Sequence, residues 1–296
     1  MHLPAGAVKV IRMAGIRFYQ DFEFEYGVME TVSPLVRRIV ARNPGAFTGP
    51  GTGTYIVGHG HVAIIDPGPS LGGHIQAILS ALRGETVDQI LITHTHPDHW
   101  PASSAIHAAT GAPICGYEAG AGERTLRDGD VIEGKGWRLE AVHTPGHTAD
   151  HLCFALPQER VLFSGDHVMG WSTSVIIPPD GEMSAYMRSL DKLLRRDDAL
   201  FLPTHGPAVT DPKTHVQAFI DHRRERRAAI LRRLGRGEAT VSEIVRAVYT
   251  DVSTGLHGAA ALSVQAHLIE LVERNQVCCD GPPSSAQRFR LCAKTA

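Results

Sequence analysis

Thr93-His94-Thr95-His96-Pro97-Asp98-His99 follows directly on the apolar run Gln89 to Ile92, and the reading of this stretch decides the fold. A short apolar run that stops at a turn reads as a buried strand. The strand end fixes the backbone, and the turn beyond it lets alternate side chains converge. His94 and His96, two apart, reach one cation together, while Asp98 and His99, across Pro97, point at a second cation beside it. Imidazole nitrogen and carboxylate oxygen suit zinc, with iron or manganese as the other matches. Four potential ligands within the six residues 94–99 are not what a solvated loop is built from.

Two ions need further ligands, and other strand ends offer them. His143-Thr144-Pro145-Gly146-His147-Thr148 follows the apolar run Arg138 to Val142, Ser164-Gly165-Asp166 follows Val161 to Phe163, and Pro203-Thr204-His205-Gly206 follows Leu200 to Leu202. Singly, His205 also reads as an ordinary turn residue and Asp166 as a cap. Jointly they complete a two-metal site in which Asp166, with two oxygens, bridges both ions.

The surrounding text is that of an α/β protein. Thr54 to Val57 and Val62 to Ile65 flank Gly58-His59-Gly60 as a hairpin. Helical patterns over Ile75 to Leu82, Ala102 to Ala109 and Met183 to Leu194 interleave with the strands above and with Pro113 to Tyr117 and Leu152 to Ala155, which predicts layered sheets and helices. Ile16 to Tyr19 and Phe22 to Glu25 alternate as short strands do, and 43–53 reads as loop. Past Pro212 the sequence is helical. Thr240 and Glu243 form a capping box, a third helix carries Val264, Leu268 and Leu271, and Arg288 to Leu291 reads as a strand after the turn 280–285. The expected division is a catalytic domain over 1–224 and a winged-helix-like domain over 225–296.

Composition narrows the function. With 43% hydrophobic and 20% charged residues the 296-residue chain is an ordinary globule, not a disordered segment. A formal charge of −2 makes the whole molecule no electrostatic trap for nucleic acid, although seven arginines and one glutamate between His222 and Arg236 form a local basic run that either contacts phosphates or faces solvent. No stretch approaches the ~20 apolar residues of a membrane helix, and the N-terminus lacks the pattern of an export signal. Five cysteines, an odd number without a C-x-x-C pair, argue against a disulfide scaffold, so a cytoplasmic location is expected. Histidine is the abnormal entry, at 17 copies. Of the rest, His59 and His61 read as solvated, His143 as structural, and His74, His107, His215 and His222 as helix-surface residues.

The H-x-H-x-D-H run with separated His, Asp and His motifs resembles the metallo-β-lactamase fold superfamily, and Ile65-Asp66-Pro67-Gly68 looks like that family's first aspartate motif. The resemblance covers nearly the whole chain. It implies two mixed β-sheets in an αββα sandwich, with His94, His96 and His147 on the first metal, Asp98, His99 and His205 on the second, Asp166 shared, and Asp66 orienting the histidine loop. Asn43 to Thr48, Gly51 to Tyr55, Gly146 to His151 and the C-terminal helices also resemble the β-lactamase-like protein 2 subgroup, with Gly53 where an asparagine is common; its animal representative is a single-strand-specific endoribonuclease.

The resemblance implies a hydroxide bridging two Zn2+ ions (Fe or Mn as alternatives), with Asp98 steering it and accepting its proton. His151, His167 or a second metal-bound water stay open as the acid. Single-stranded RNA is the leading expected substrate. A thioester or ester, as in hydroxyacylglutathione hydrolases, is the alternative, although their basic C-terminal extension is missing here. β-Lactam hydrolysis ranks lower, because the best-known dizinc lactamases carry a cysteine where Asp166 stands and are exported. A non-catalytic metal- or nucleic-acid-binding protein is the last reading, and a homodimer is expected to be possible.

Overall fold

Alternation along the strands sorts the apolar residues of the N-terminal region to two sides of a sheet. A computed structural model describes residues 10–13, 15–19, 22–117, 124–250, 255 and 257–293. It divides into one unit of Met1–Thr144, Asp150–Ser174 and Arg195–His215 and another of Pro145–Ala149, Val175–Leu194 and Val216–Ala296.

In the first unit β1 (Val10–Met13) pairs with β2 (Ile16–Tyr19). β3 (Met29–Ser33), β4 (Val36–Val40), β5 (Gly53–His59), β6 (His61–Ile65), β7 (Thr86–Leu91), β8 (Ile114–Gly116) and β9 (Arg124–Thr125) follow one another across a seven-stranded sheet. It is antiparallel up to β6 and parallel beyond. β10 (Val131–Gly134), β11 (Trp137–His143), β12 (Leu152–Leu156), β13 (Val161–Gly165) and β14 (Leu200–Pro203) form a five-stranded sheet that is parallel at β13–β14. Both sheets are therefore mixed, as expected. Tyr55, Val57, Ala63 and Ile65 pack with Leu139, Ala141, Phe154 and Phe163 between the sheets. Ile56, Val62 and Ile64 face the other way, onto Ile78 of α1 (Gly72–Ala81) and Ile106 of α2 (Ser103–Thr110). This period-two sorting fixes the register, since a one-residue slip would turn each set to the wrong side.

The second unit holds α3 (Met183–Leu194), most of α4 (Pro212–Leu234), β15 (Ala239–Thr240), α5 (Val241–Val248), α6 (His257–Glu273), β16 (Val277–Cys278) and β17 (Arg288–Leu291). The last three strands form a small sheet in the order β15-β17-β16. Thr240 caps α5 by accepting from the Glu243 N–H, and Glu243 accepts in return from the Thr240 N–H at 2.8 Å, which is the predicted capping box. Ile230, Ile244, Val264, Leu268, Leu271 and Phe289 build its core.

Four expectations are corrected. Phe22 to Glu25 is not a strand; its alternation instead sets Phe22 at a tilt against Phe24 and Phe24 edge-to-face with Tyr26, with centroids 4.9 Å apart in each pair. His74, His215 and His222 are buried, 5 to 7% exposed: His74 bonds Thr54 and His215 bonds Met169 O across from their helices, while His222 accepts from Arg226 one turn along α4. The arginine run does not face solvent as a whole: Arg224, Arg232 and Arg236 are exposed, but three others turn inward. Arg223 covers Tyr186, Arg226 covers Tyr249 and donates to Val248 O, and Arg227 pairs with Glu270 at 3.2 Å. Finally, Cys278 and Cys292 form a disulfide beside β16 and β17, leaving three thiols, of which Cys115 and Cys153 are buried. Among the described residues no helix is long and apolar enough to cross a membrane.

Candidate metal centre

β6, β7 and β8 run parallel, so their C-terminal ends share one edge of the large sheet, and the chemistry-bearing turns begin there. Asp66, just past β6 and wholly buried, organises that edge. Its Oδ1 accepts from Thr93 N–H at 2.8 Å, and its Oδ2 accepts from Thr93 Oγ1 at 2.7 Å, Thr204 Oγ1 at 2.8 Å and His99 Nδ1 at 2.8 Å. One carboxylate thus ties the ends of β6, β7 and β14 together.

These bonds also set tautomers. The Thr93 hydroxyl gives its hydrogen to Asp66 and so accepts from His94 Nδ1 at 3.0 Å. His99 gives its Nδ1 hydrogen to Asp66, and His205 gives its own to Gly51 O at 3.1 Å. In its neutral form each ring then carries the proton on Nδ1, and Nε2 offers a lone pair to a cation, the arrangement metal-bound histidines use.

The Nε2 atoms converge. His205 Nε2 stands 3.0 Å from Asp98 Oδ2 and 3.4 Å from Asp166 Oδ1, and His99 Nε2 stands 3.5 Å from Asp98 Oδ2 and 3.6 Å from Asp166 Oδ2. His94 Nε2 meets His96 Nδ1 at 2.9 Å. Ligand atoms of His94, His99 and Asp166 lie within 4.8 Å of one another, as do those of Asp98, His99 and His205. Donors held about 2.0–2.2 Å from one tetrahedral ion stand roughly 3.4 Å apart, so these separations fit a cation at the centre.

Electrostatics agree. Burial opposes charge on His99 and His205, yet the carboxylates prevail: Asp166, Asp66 and Asp98 lift His99 well above the usual imidazole range, and Asp166 with Asp98 lifts His205 to about 9. Asp166 is held well below the carboxylate range by His205 and His99 in spite of its burial, and Asp98 is lowered by the same two rings. The buried Nε2 atoms of His99 and His205 make no hydrogen bond of acceptable geometry. A cluster of acids and inward-turned imidazoles that must hold protons to balance its charge is compatible with divalent metal binding, in which the cation takes the place of those protons.

The turn that carries Asp166 is shaped by His151. His151 Nε2 accepts from Asp166 N–H at 3.2 Å, and its Nδ1 bonds Thr144 Oγ1 at 2.9 Å. Gly165 adopts φ +52°, and a Cβ there would come within 2.5 Å of His151 Nε2, so the position requires glycine.

Six of the expected ligands, His94, His96, Asp98, His99, Asp166 and His205, come together within the first unit. His147 belongs to the second, in Pro145–Ala149, where its Nδ1 donates to Val175 O at 2.6 Å and leaves the metal-type lone pair on Nε2. Both flanks of that segment lie in the first unit: Thr144 N donates to His151 O, and Asp150 Oδ2 accepts from Thr95 N at 3.0 Å. Sequence reasoning missed Thr93, Thr204, Asp150 and the Gly51 carbonyl. The first three stand inside the quoted motifs, where a hydroxyl or carboxylate beside each histidine was the signal; nothing in the sequence marks the Gly51 carbonyl.

A family model described as the metallo-beta-lactamase superfamily matches residues 47–123 and 111–205, and one described as the beta-lactamase associated winged helix domain matches 240–281. The lactamase-like protein aptB of Emericella nidulans is 33% identical over 301 residues, covering 92% of this chain and 96% of that protein. An atrochrysone carboxyl ACP thioesterase of Aspergillus terreus is 30% identical over 263 residues, covering 81% of each. Among solved structures, a metallo-beta-lactamase family protein from Thermus thermophilus superposes with a TM-score of 0.74 at 23% identity, covering 88% of this chain and all (100%) of that one. A beta-lactamase domain protein from Burkholderia ambifaria gives 0.77 at 18% identity, covering 90% and 94%.

Proposed function

The chain belongs to the metallo-beta-lactamase superfamily, with its associated winged-helix domain, and from that premise we propose that it hydrolyses acyl thioesters, including those held on a carrier protein. The observation that carries this choice is the likeness to an ACP thioesterase along four fifths of the chain. The leading expectation from sequence, cleavage of single-stranded RNA, gives way to the alternative. Internal use of Arg223, Arg226 and Arg227 agrees with the change, because it withdraws three of the seven arginines on which phosphate contact rested.

In this reading His94, His96 and His147 would hold one ion and Asp98, His99 and His205 the other, with Asp166 shared; zinc suits the donors, with iron or manganese next. Two bound cations supply an activated water and polarise the carbonyl under attack. Asp98, the most exposed of the carboxylates at 26% side-chain exposure, is positioned to orient that water and take its proton. Asp66 keeps the histidine loop in register. His151 is unsuited to be a general acid, since its Nε2 is committed to accepting from Asp166 N–H. A thioester depends less on such an acid. Its leaving thiolate, from a thiol of pKa ~8.5, departs without protonation, whereas an RNA alkoxide needs an acid. The division into a catalytic domain over 1–224 and a winged-helix domain over 225–296 is part of the same proposal.

The test is a paired assay on protein of measured metal content, wild type and Asp98→Ala, given an acyl carrier protein thioester and a fluorescent single-stranded RNA. Thioester turnover by wild type alone, with the RNA left intact, is expected. RNA cleavage without thioester turnover overturns the proposal.

A further inference from the structure

Within the second unit the loop before α3 and one face of α6 bound a cavity of about 520 Å³, a volume in the range of small-molecule sites. Its wall is continuous with the segment that carries His147. Asp180 Oδ1 accepts from Ala149 N–H at 3.0 Å, and Glu182 N–H donates to Gly146 O at 3.0 Å. Between them, Gly181 packs so closely that a Cβ there would come within 3.0 Å of His147 O. Ala149, Asp180, Gly181 and Glu182 all line the cavity. Ala149 stands two residues past His147, so their Cα atoms are at most about 7.6 Å apart. A group bound here has one end beside a proposed metal ligand.

The lining selects that group. Met183, Ala266, Ile269 and Pro283 supply apolar surface, and Asp180, Glu182, Gln265 and Glu273 supply acceptors. Among the described residues that line the cavity there is no lysine, arginine or histidine. Arg188 pairs with Glu182 at 3.7 Å, and Arg227 and Arg274 pair with Glu270 at 3.2 and 2.9 Å, but none of these arginines lines it. Asp180 and Glu273 have no cation partner among the described residues. Such a cavity repels anions and suits an uncharged chain whose apolar stretches alternate with hydrogen-bond donors.

Thiols that carry acyl groups differ in this respect. Glutathione bears two carboxylates and one ammonium and is an anion. The pantetheine arm of a carrier protein, between its thiol and its phosphate, presents two amides, a hydroxyl and methyl groups without charge. Resting on the thioester reading, we propose that this cavity holds the pantetheine arm of an acyl thioester and discriminates against glutathione. The sulfur end lies toward Ala149 and Gly181, and the amide N–H groups are donated to Asp180, Gln265 and Glu273.

The test gives metal-loaded, full-length protein thioesters of one acyl group on pantetheine, on glutathione and on methanethiol. A kcat/KM for the pantetheine thioester at least about tenfold above that for the glutathione thioester is expected. Ile269→Trp and Gln265→Trp fill the cavity from partly exposed positions on α6. Each should lower kcat/KM for the pantetheine thioester at least about tenfold more than for the methanethiol thioester. Glu273→Lys, which adds a cation to the lining, should narrow the preference over glutathione. Equal turnover of the pantetheine and glutathione thioesters by wild type overturns the proposal. So does an equal effect on the pantetheine and methanethiol thioesters in tryptophan variants that keep the wild-type unfolding midpoint. Calorimetry with S-methyl pantetheine, which cannot be hydrolysed, separates this from the thioester reading. Binding that both tryptophan variants weaken, in a protein that turns over no thioester, keeps the cavity assignment and removes the activity. Absence of binding to wild type at millimolar concentration overturns the cavity assignment whatever the activity.

Discussion

Two buried histidines in the two units of this protein have opposite fates. His205, at 0% exposure, is pushed up to about 9; His222, at 7%, is pushed down to about 3. Burial alone disfavours the imidazolium and acts the same way on both. The neighbours decide. Around His205 stand Asp166 and Asp98, whereas His222 faces Arg223, Arg226 and His267. One region collects acids and calls for a cation; the other collects arginines and keeps its histidines neutral. The first arrangement is costly unless something positive occupies it, which is how a metal site differs from a structural polar cluster of similar composition.

Removing the acids should break the comparison most severely. Asp166→Ala is expected to lower the metal content and reduce hydrolysis below detection, while Asp98→Asn slows it by about 10²–10⁴-fold, as loss of a general base does. Metal analysis beside kcat/KM checks both. An Asp166→Ala protein with full metal content and full activity sinks the bridging assignment.

In the second unit the informative acid is Glu270, whose 2% exposed side chain meets Arg227 at 3.2 Å, Arg274 at 2.9 Å and His267 at 3.7 Å. Glu270→Ala removes the acceptor that Arg227 and Arg274 share and should cost about 1–3 kcal/mol in denaturant unfolding, with metal content unchanged. A loss below ~1 kcal/mol would show that water already screens the cluster.

The histidines predict opposite pH limbs. His222 has a folded pKa below its unfolded value, so its stability contribution is complete above about 6.5 and is lost as pH falls toward 3. His205 has a folded pKa above its unfolded value. In metal-stripped protein its contribution is complete below about 6.5 and is lost as pH rises through about 9. Denaturant melts between pH 4.5 and 9 should show both limbs. His222→Gln, which keeps an acceptor for Arg226 Nε, should make the acid one shallower, with His74, His215 and His267 supplying the rest, and metal loading should remove the alkaline one. An unchanged acid limb in His222→Gln would remove that histidine from the account.

Legibility followed the same division. The strand-end turns were readable because ligand types repeat at the ends of apolar runs, and β5 to β8 with α1 and α2 were readable because their periods switch cleanly between two and 3.6. β3 and β4 were not read. β4 carries Arg37 and Arg38 at its centre, both 8% exposed, and their charges hid a strand buried throughout; Glu85 and Glu30 neutralise them. The same blindness made His74, His215, His222 and the arginine run look like surface. Sequence shows that a residue is polar, but the partner that lets it be buried comes from another element. Thr93 and Thr204 were missed for a related reason, since a threonine counts only once Asp66 is seen to gather both.

The smallest effect expected is also the most local. Thr240 accepts from Glu243 N–H at 3.3 Å, and Glu243 Oε2 accepts from Thr240 N–H, so two otherwise unpaired donors at the start of α5 depend on these side chains. Thr240 is followed at once by Val241, Ile244 and Val245, which fill the core of the second unit. Thr240→Ala removes one acceptor and should cost about 1 kcal/mol, read as a lower unfolding midpoint at unchanged m-value. Thr240→Ser should restore most of it, because serine supplies the same oxygen. Neither change alters the charge around His205 or His222, so both pH limbs should keep their slopes. A Thr240→Ala protein with an altered acid limb would mean that α5 and the arginine cluster unfold together, and that His222 reports on the whole unit, not on its own burial.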